Sequence, residues 1–284
     1  MAHPNRPSVR FRRIGGALRQ AREDARLTID TASRRFGRSP GWFSTVENGL
    51  HLIRVDDLGE LLDFYGITEG PLRDSLIHLA AQGRRKNWTR AFQGRISPAA
   101  LDLASLEADS ASIHTFQPNL VPGLLQTQDY TRAVMAAGLP GAVEDIDSLV
   151  DFRMARQAVL NQPDAPRYDA IISESALGHQ VGNPSIMHGQ LMHLARVATL
   201  SHIGLHVLPN SASAYLWISV PFNIFTLRPP GQLTVVVADQ VTQFAFTEDD
   251  AGVEAHNEIY DHLLSVTLDQ PRSLEVIQRL VSDS

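Results

Sequence analysis

Ten of the first 40 residues of this 284-residue chain are arginine, against only Glu23, Asp24 and Asp30 of opposite sign. Guanidinium groups at that density suit the neutralisation of a polyanion such as a phosphate backbone. The bias is local. Residues 1–90 carry 16 basic and 10 acidic side chains, a net of +6, and the remaining residues carry 9 and 21, a net of -12. The overall formal charge of -6 is therefore the sum of two unlike parts. Charge of this kind sets steering and non-specific affinity and does not choose a fold.

Other chemistries leave weaker marks. The chain has no cysteine, which removes disulfides, thiolate zinc sites, iron–sulfur clusters and cysteine nucleophiles together and gives an extracellular location no support. The polar N-terminus lacks the apolar run of a signal peptide, and no stretch approaches the roughly 18 apolar residues of a membrane span. A cytoplasmic protein is expected. Five histidines fall between His179 and His206, and His202 and His206 would share a strand face. Ile203 and Leu205 between them mark that face as the more exposed one, so no metal site is expected. The acids Glu144, Asp145 and Asp147, and Glu248, Asp249 and Asp250, are spaced to hold a nuclease magnesium. They fit equally well as helix starts, where negative charge meets the helix dipole. No Gly-rich phosphate loop, Gly-x-Ser-x-Gly elbow or His-Glu-x-x-His is present, and neither catalysis nor a cofactor is expected. Arg153, Arg156 and Gln157 fall on one helical face. With Glu174 at a strand end they line a pocket for a ligand or partner carboxylate, or form a structural ion-pair cluster; the sequence leaves both open.

Apolar spacing sets out the elements that hold these groups. Ile14, Leu18 and Ala21 form one stripe of a first helix, which ends before Leu27. Thr28 is an N-cap for a second helix over 28–36, because its hydroxyl accepts from an orphan amide of the first turn. Gly37 stands where a helix leaves through positive φ. Ser39-Pro40 then opens a third helix with an N-cap and a proline at the first position, where the missing N–H costs nothing. It runs to Asn48 with Phe43 and Val46 inward. A fourth helix over 55–65 carries Leu58, Leu61, Leu62 and Tyr65, and a fifth over 69–82 carries Leu72, Leu76, Ile77 and Leu79. Cap, glycine stop, tight turn and second start within residues 28–40 describe an all-α, five-helix helix-turn-helix domain. Beyond it the expected helices are 101–112, 127–137, 144–162, 184–199, 249–268 and 272–282, and the expected strands 112–116, 168–173, 203–208, 222–227 and 233–238. The mixture predicts a larger α/β (α+β) domain. The expected division is residues 1–82 for the helix-turn-helix domain, 83–110 for a linker or helical connection, and 111–284 for a regulatory, dimerisation or partner-binding domain.

Ile14-Gly15, Leu18-Arg19, Arg22, Leu27-Thr28, Gly37, Ser39 and Ser44-Thr45-Val46-Glu47-Asn48-Gly49 resemble the pattern of Xre-type, lambda-repressor-like helix-turn-helix transcriptional regulators. The resemblance covers about residues 11–67. It implies that Arg22 and Glu47 form an internal ion pair tying the first helix to the third. Two positions depart from the pattern: Arg26 stands where glycine is usual, and must take positive φ or leave the helix differently; Ile29 replaces a polar residue and removes one phosphate contact. Further on, the run from Pro122 to Tyr130, Arg153-Met154-Ala155-Arg156-Gln157, Ser173-Glu174-Ser175-Ala176-Leu177, Gln190-Leu191 with Leu194, and Val207-Leu208-Pro209 resemble the C-terminal domain of antitoxin-like Xre-type regulators of actinobacteria. This second resemblance, over about residues 110–280, implies a regulatory module, in many members paired with a small companion protein. A basic companion would suit the acidic domain.

In a helix-turn-helix the third helix enters the major groove by its N-terminal turns. Ser39, Pro40, Gly41, Trp42, Ser44 and Thr45 are thus the expected base-facing residues. Their hydroxyls bond to either kind of base pair and discriminate less than bidentate arginine or glutamine. Trp42 lies against thymine methyls or sugar, or else packs on the second domain or a dimer mate. Thr28, Arg38, His51 and Arg54 sit where the fold passes the phosphates. The expected partner is double-stranded DNA with a pseudo-palindromic operator, bound by a homodimer whose recognition helices are one DNA turn apart. The alternative is a protein-interaction module of a toxin–antitoxin-like pair with weak or no DNA binding.

Overall fold

The structure is a computed structural model that describes residues 8–51, 53–82, 88–138, 145–212, 219–228, 233–239 and 244–284. Glu144 and residues 83–87 of the expected connection lie outside them. The described residues divide into two compact units, and each follows from its own sequence pattern.

The first unit is built on five helices: α1 (Val9–Asp24), α2 (Ile29–Phe36), α3 (Pro40–Glu47), α4 (Val55–Phe64) and α5 (Pro71–Gln82). Its core takes the residues that periodicity names, with Ile14, Leu18, Phe43, Val46, Leu58, Leu61, Leu62 and Leu76 all at most 2% exposed. Leu72 departs from the expected stripe and is 47% exposed, because α5 begins two residues later than predicted and turns its first residues to solvent. Gly37 ends α2 at φ 76°, and its N–H bonds the Ser33 carbonyl. Arg26 takes the left-handed region, φ 58°, and is the one non-glycine residue found there among the described residues.

The second unit opens with α6 (Pro98–Asp109), whose last turns belong to it, and β1 (Ser110–Gln117). Then come α7 (Gln128–Ala136), α8 (Ile146–Gln157), β2 (Arg167–Ser173), α9 (Glu174–Gly178), α10 (Pro184–Val197) and β3 (Ile203–Leu208). It closes with β4 (Phe222–Leu227), β5 (Thr234–Asp239), β6 (Phe244–Thr247), α11 (Asp250–Ser265) and α12 (Gln270–Asp283). The sheet runs β3-β2-β1-β4-β5-β6. β1, β2 and β3 are parallel, which requires the helical crossovers α7–α8 and α9–α10. β4, β5 and β6 continue antiparallel. The domain is α+β. One face, with Phe116, Ile171, Leu208, Phe222, Ile224 and Val236, packs on Tyr260 and Leu263 of α11. Val235, Val236 and Val237 are buried on both faces, the continuous apolar run of a covered strand.

Several boundaries differ from the sequence reading. The helix expected to reach residue 112 stops at Asp109: the Ser110 hydroxyl donates to the Leu106 carbonyl (2.7 Å), and pairing with β4 begins at once through an irregular register. The helix expected to reach residue 162 ends at Gln157 and tightens into a 3-10 turn over Ala158–Asn161. His202 precedes β3, and the face carrying His206 is covered: Gly204 and Leu208 on it are buried, and the α11–α12 junction lies along β3. There the Leu268 N–H bonds the Val207 carbonyl (2.9 Å), and the Ser273 hydroxyl accepts from the Val207 N–H (2.9 Å), which closes that sheet edge. Among the described residues no group of three or more His, Asp or Glu is placed to hold a metal ion, and no helix is long and apolar enough to cross a membrane.

Candidate nucleic-acid interface

The third helix is set from both ends. At its start the Ser39 hydroxyl accepts from the Trp42 N–H (3.1 Å), with Pro40 at the first helical position. At its other end it lies directly on α1: a β-carbon on Gly15 would stand 2.5 Å from the Val46 carbonyl oxygen, so only glycine permits the approach. The Gly49 turn is equally close, its β-carbon position 2.7 Å from the Arg12 nitrogen, and its φ of 70° is left-handed.

Between those contacts Arg22 and Glu47 form the ion pair that the resemblance implies. Arg22 Nε donates to Glu47 Oε1 (2.7 Å) and Nη2 to Oε2 (2.9 Å), while Nη1 caps the Leu27 carbonyl (2.8 Å). Both residues are buried, at 7% and 4% exposure, and their bidentate geometry is the strong form of this pair. The Glu47 hydrogen bond holds the Arg22 guanidinium further up than its ordinary value. Tyr65 lies against the pair, its phenol pushed up by burial and then by the Glu47 charge. Arg19, beside the pair, donates to Asn48 Oδ1 (2.7 Å), a second tie between α1 and the exit of α3 that spacing did not suggest.

The expected base-facing residues divide. Ser39, Pro40, Gly41, Ser44 and Thr45 are exposed on one side of α3. Thr45 spends its proton on the Trp42 carbonyl (2.9 Å), which leaves its lone pairs outward; the Ser44 carbonyl accepts from Asn48 Nδ2 (2.7 Å). Trp42 is only partly exposed. Its ring stacks on Phe36 (6.1 Å between centroids) and meets Phe43 edge-on (5.1 Å), in a cluster that Phe64 completes. Phe36 and Phe64 were missed as support for the site; their signal was aromatic residues at the ends of α2 and α4.

The phosphate candidates sit on the surface. Thr28 caps α2, accepting from the Thr31 N–H (3.2 Å). The Arg38 guanidinium lies 5.4 Å from the Trp42 ring centre and donates to Asp57 (3.0 Å). Arg54 is 3.7 Å from Asp56, and His51 is exposed. Exposed pairs of this kind are worth about 0–1 kcal/mol, so a phosphate can replace Asp57 or Asp56 at little cost. Arg34 and Arg35 add exposed charge to the last turn of α2, where cations complement the helix dipole.

In the second unit α8 brings Arg153, Arg156 and Gln157 together, but Glu174 is elsewhere: its carboxylate accepts from the Asn210 N–H (2.9 Å). The carboxylate that meets the arginines is Glu107 of α6, which takes two hydrogen bonds from Arg156. A partner 49 residues away carries no signal in local spacing. Gln157 donates to the Gly123 and Gln126 carbonyls (2.9 and 2.7 Å), and Arg153 Nη1 to Gln126 Oε1 (2.6 Å). Burial, with Arg156 alongside, draws the Arg153 guanidinium down to about 10. Burial opposes the charge on Arg156 too, but Glu107 more than restores it.

Five helices with a supported, outward-facing third helix define a helix-turn-helix DNA-binding domain, here followed by an α+β domain. Comparison with family models agrees: residues 13–76 match the model described as "Helix-turn-helix domain". Residues 100–279, more than half of the chain, match "Domain of unknown function (DUF5753)", and the chain belongs to that family. Searches of curated proteins and of solved structures returned no match.

Proposed function

We propose that this chain is a sequence-specific, double-stranded-DNA-binding transcriptional regulator of the Xre type. In this reading it is a cytoplasmic homodimer that places two copies of α3 in successive major grooves of a pseudo-palindromic operator. It performs no catalysis and needs no cofactor. Its C-terminal domain is antitoxin-like and takes a small basic companion protein or a ligand. The observation that carries the reading is the α3 surface: exposed hydroxyls on a helix whose position is fixed by the buried Arg22–Glu47 pair and the Gly15 contact. Thr45 offers lone pairs to the amino groups of adenine or cytosine, and Ser44 is free to donate to purine N7 or to a carbonyl. Arg38, Arg54, His51 and Thr28 track the phosphates.

One observation favours the alternative interaction module: Arg38 and Arg54 already hold carboxylates, and Trp42 is partly buried in the protein's own aromatic cluster. A gel shift separates the two. The full chain should retard a duplex from its own upstream region at nanomolar concentration and resist scrambled competitor. Thr45→Ala should change the preferred sequence, whereas Arg38→Ala should weaken all sequences alike. Equal, weak binding to every duplex would favour the interaction module.

A further inference from the structure

The two arginines of α8 differ in how they are satisfied. Arg156 gives two hydrogen bonds to Glu107 and lies 5.8 Å from the Phe152 ring centre. Arg153 makes one side-chain bond, to Gln126, and its buried Nε has no partner among the described residues. Both guanidinium groups converge on Gly123, in the turn that follows β1. A β-carbon there would stand 3.8 Å from Arg153 Nε and 3.9 Å from Arg156 Nη2. Because position 123 has no side chain, the two cations face bare backbone, and no atom beyond its chain neighbours comes nearer than 3.8 Å to where a β-carbon would stand. Gly123 and Arg153 are both partly exposed, so solvent reaches the rim of this site while the Nε atom itself is buried.

The place in the fold is also informative. The crossovers carry the chain from β1 to β2 and β3 on one side, and it returns as β4 on the other side of β1. The carboxyl end of β1 is therefore the point where strand order reverses, and ligands of open sheets sit outside such ends. Asp239, at the carboxyl end of β5, is within electrostatic reach of both arginines but makes no ion pair with either among the described residues.

We propose that this cradle is a binding site for a small organic acid, whose carboxylate lies over Gly123 and takes the unused Nε–H of Arg153, with Arg156 Nη2 beside it. A planar monoanion matches the guanidinium edge. A phosphate dianion would meet more repulsion than a monoanion from Glu107 and Asp239, whose carboxylates lie near the same arginines. The proposal rests on the reading of the C-terminal domain as a ligand-binding module, and its test reads the protein alone. Failure here leaves DNA binding standing, and failure to bind DNA leaves this site standing.

The experiment titrates the full chain with acetate, benzoate and, as a control at matched ionic strength, inorganic phosphate, while following thermal midpoint and the arginine Nε–Hε resonances by NMR. The carboxylates should raise the midpoint saturably, with a dissociation constant on the order of millimolar, and shift the Arg153 Nε–Hε signal. Arg153→Gln should abolish both effects, and Arg153→Lys should weaken binding about 10-fold. Gly123→Ala guards against misfolding of the arginine variants, because its methyl group makes only ordinary contacts; it should keep the midpoint of the free protein and lose the carboxylate response. An Arg153 signal unmoved by either carboxylate, an equal response to phosphate, or an undiminished response in Gly123→Ala would each overturn the proposal.

Discussion

Arg22 and Glu47 are buried charges that meet each other at 2.7 and 2.9 Å, while Glu23 and Arg19 approach them only at 3.4 and 3.7 Å from the surface, so removing one deprives the second of its main partner. Glu47→Ala should cost about 3–5 kcal/mol of unfolding free energy, whereas Arg22→Met combined with Glu47→Leu should recover more than half of that loss. Urea unfolding of the two single variants and the double variant measures it, and strictly additive losses would deny the coupling. Arg26 makes the opposite prediction. A left-handed non-glycine residue costs about 1–2 kcal/mol, part of which glycine returns as unfolded-chain entropy, so Arg26→Gly should stabilise by about 0.5–1 kcal/mol. Both positions were legible, the pair through a family resemblance and the strain through a missing glycine. Glu107 was not, because its contact with Arg156 depends on how α6 and α8 pack, and Glu174, a carboxylate like Glu107, serves the Asn210 N–H instead.

Helices announced themselves through their caps. Thr28, Ser39 and Asp249 all accept from the amide their position predicts, because capping is a local bargain between a side chain and the next turn. Short elements were harder: β6 has four residues and α9 five, too few for periodicity to rise above its surroundings. The central sheet carries its own test. His114 of β1 stacks on Tyr260 (4.8 Å) near Asp169, and His206 of β3 lies under the α11–α12 junction. Burial holds both imidazoles below the ordinary value of 6.5, against the opposing pull of Asp169. The unfolded chain then binds protons more readily than the folded one below about pH 6.5, so stability, level above pH 7, should fall as pH drops through that range. His114→Gln should flatten the fall in urea midpoint between pH 7.5 and 5.5; an unchanged slope in both His114→Gln and His206→Gln would show that other groups control it.

Taken whole, the chain separates its charges: residues 1–90 carry a net of +6 and the rest a net of -12. Composition averaged over the chain hides this, and the count by segment agrees with the helix-turn-helix match in pointing to the N-terminal end. A basic unit should draw in duplex DNA by releasing counterions, while an acidic domain of the same chain discourages non-specific contact elsewhere. Docking of a basic companion on the acidic domain would follow from the same asymmetry. In the proposed function the helix-turn-helix unit holds duplex DNA by its phosphates and reads it through α3. Fluorescence anisotropy of the full chain on a duplex from its own upstream region, repeated across a salt series, tests this most directly. With about five phosphates neutralised, log affinity should fall against log salt with a slope of about −4 to −5. An affinity for duplex DNA that does not change with salt would rule out phosphate-based binding by this unit.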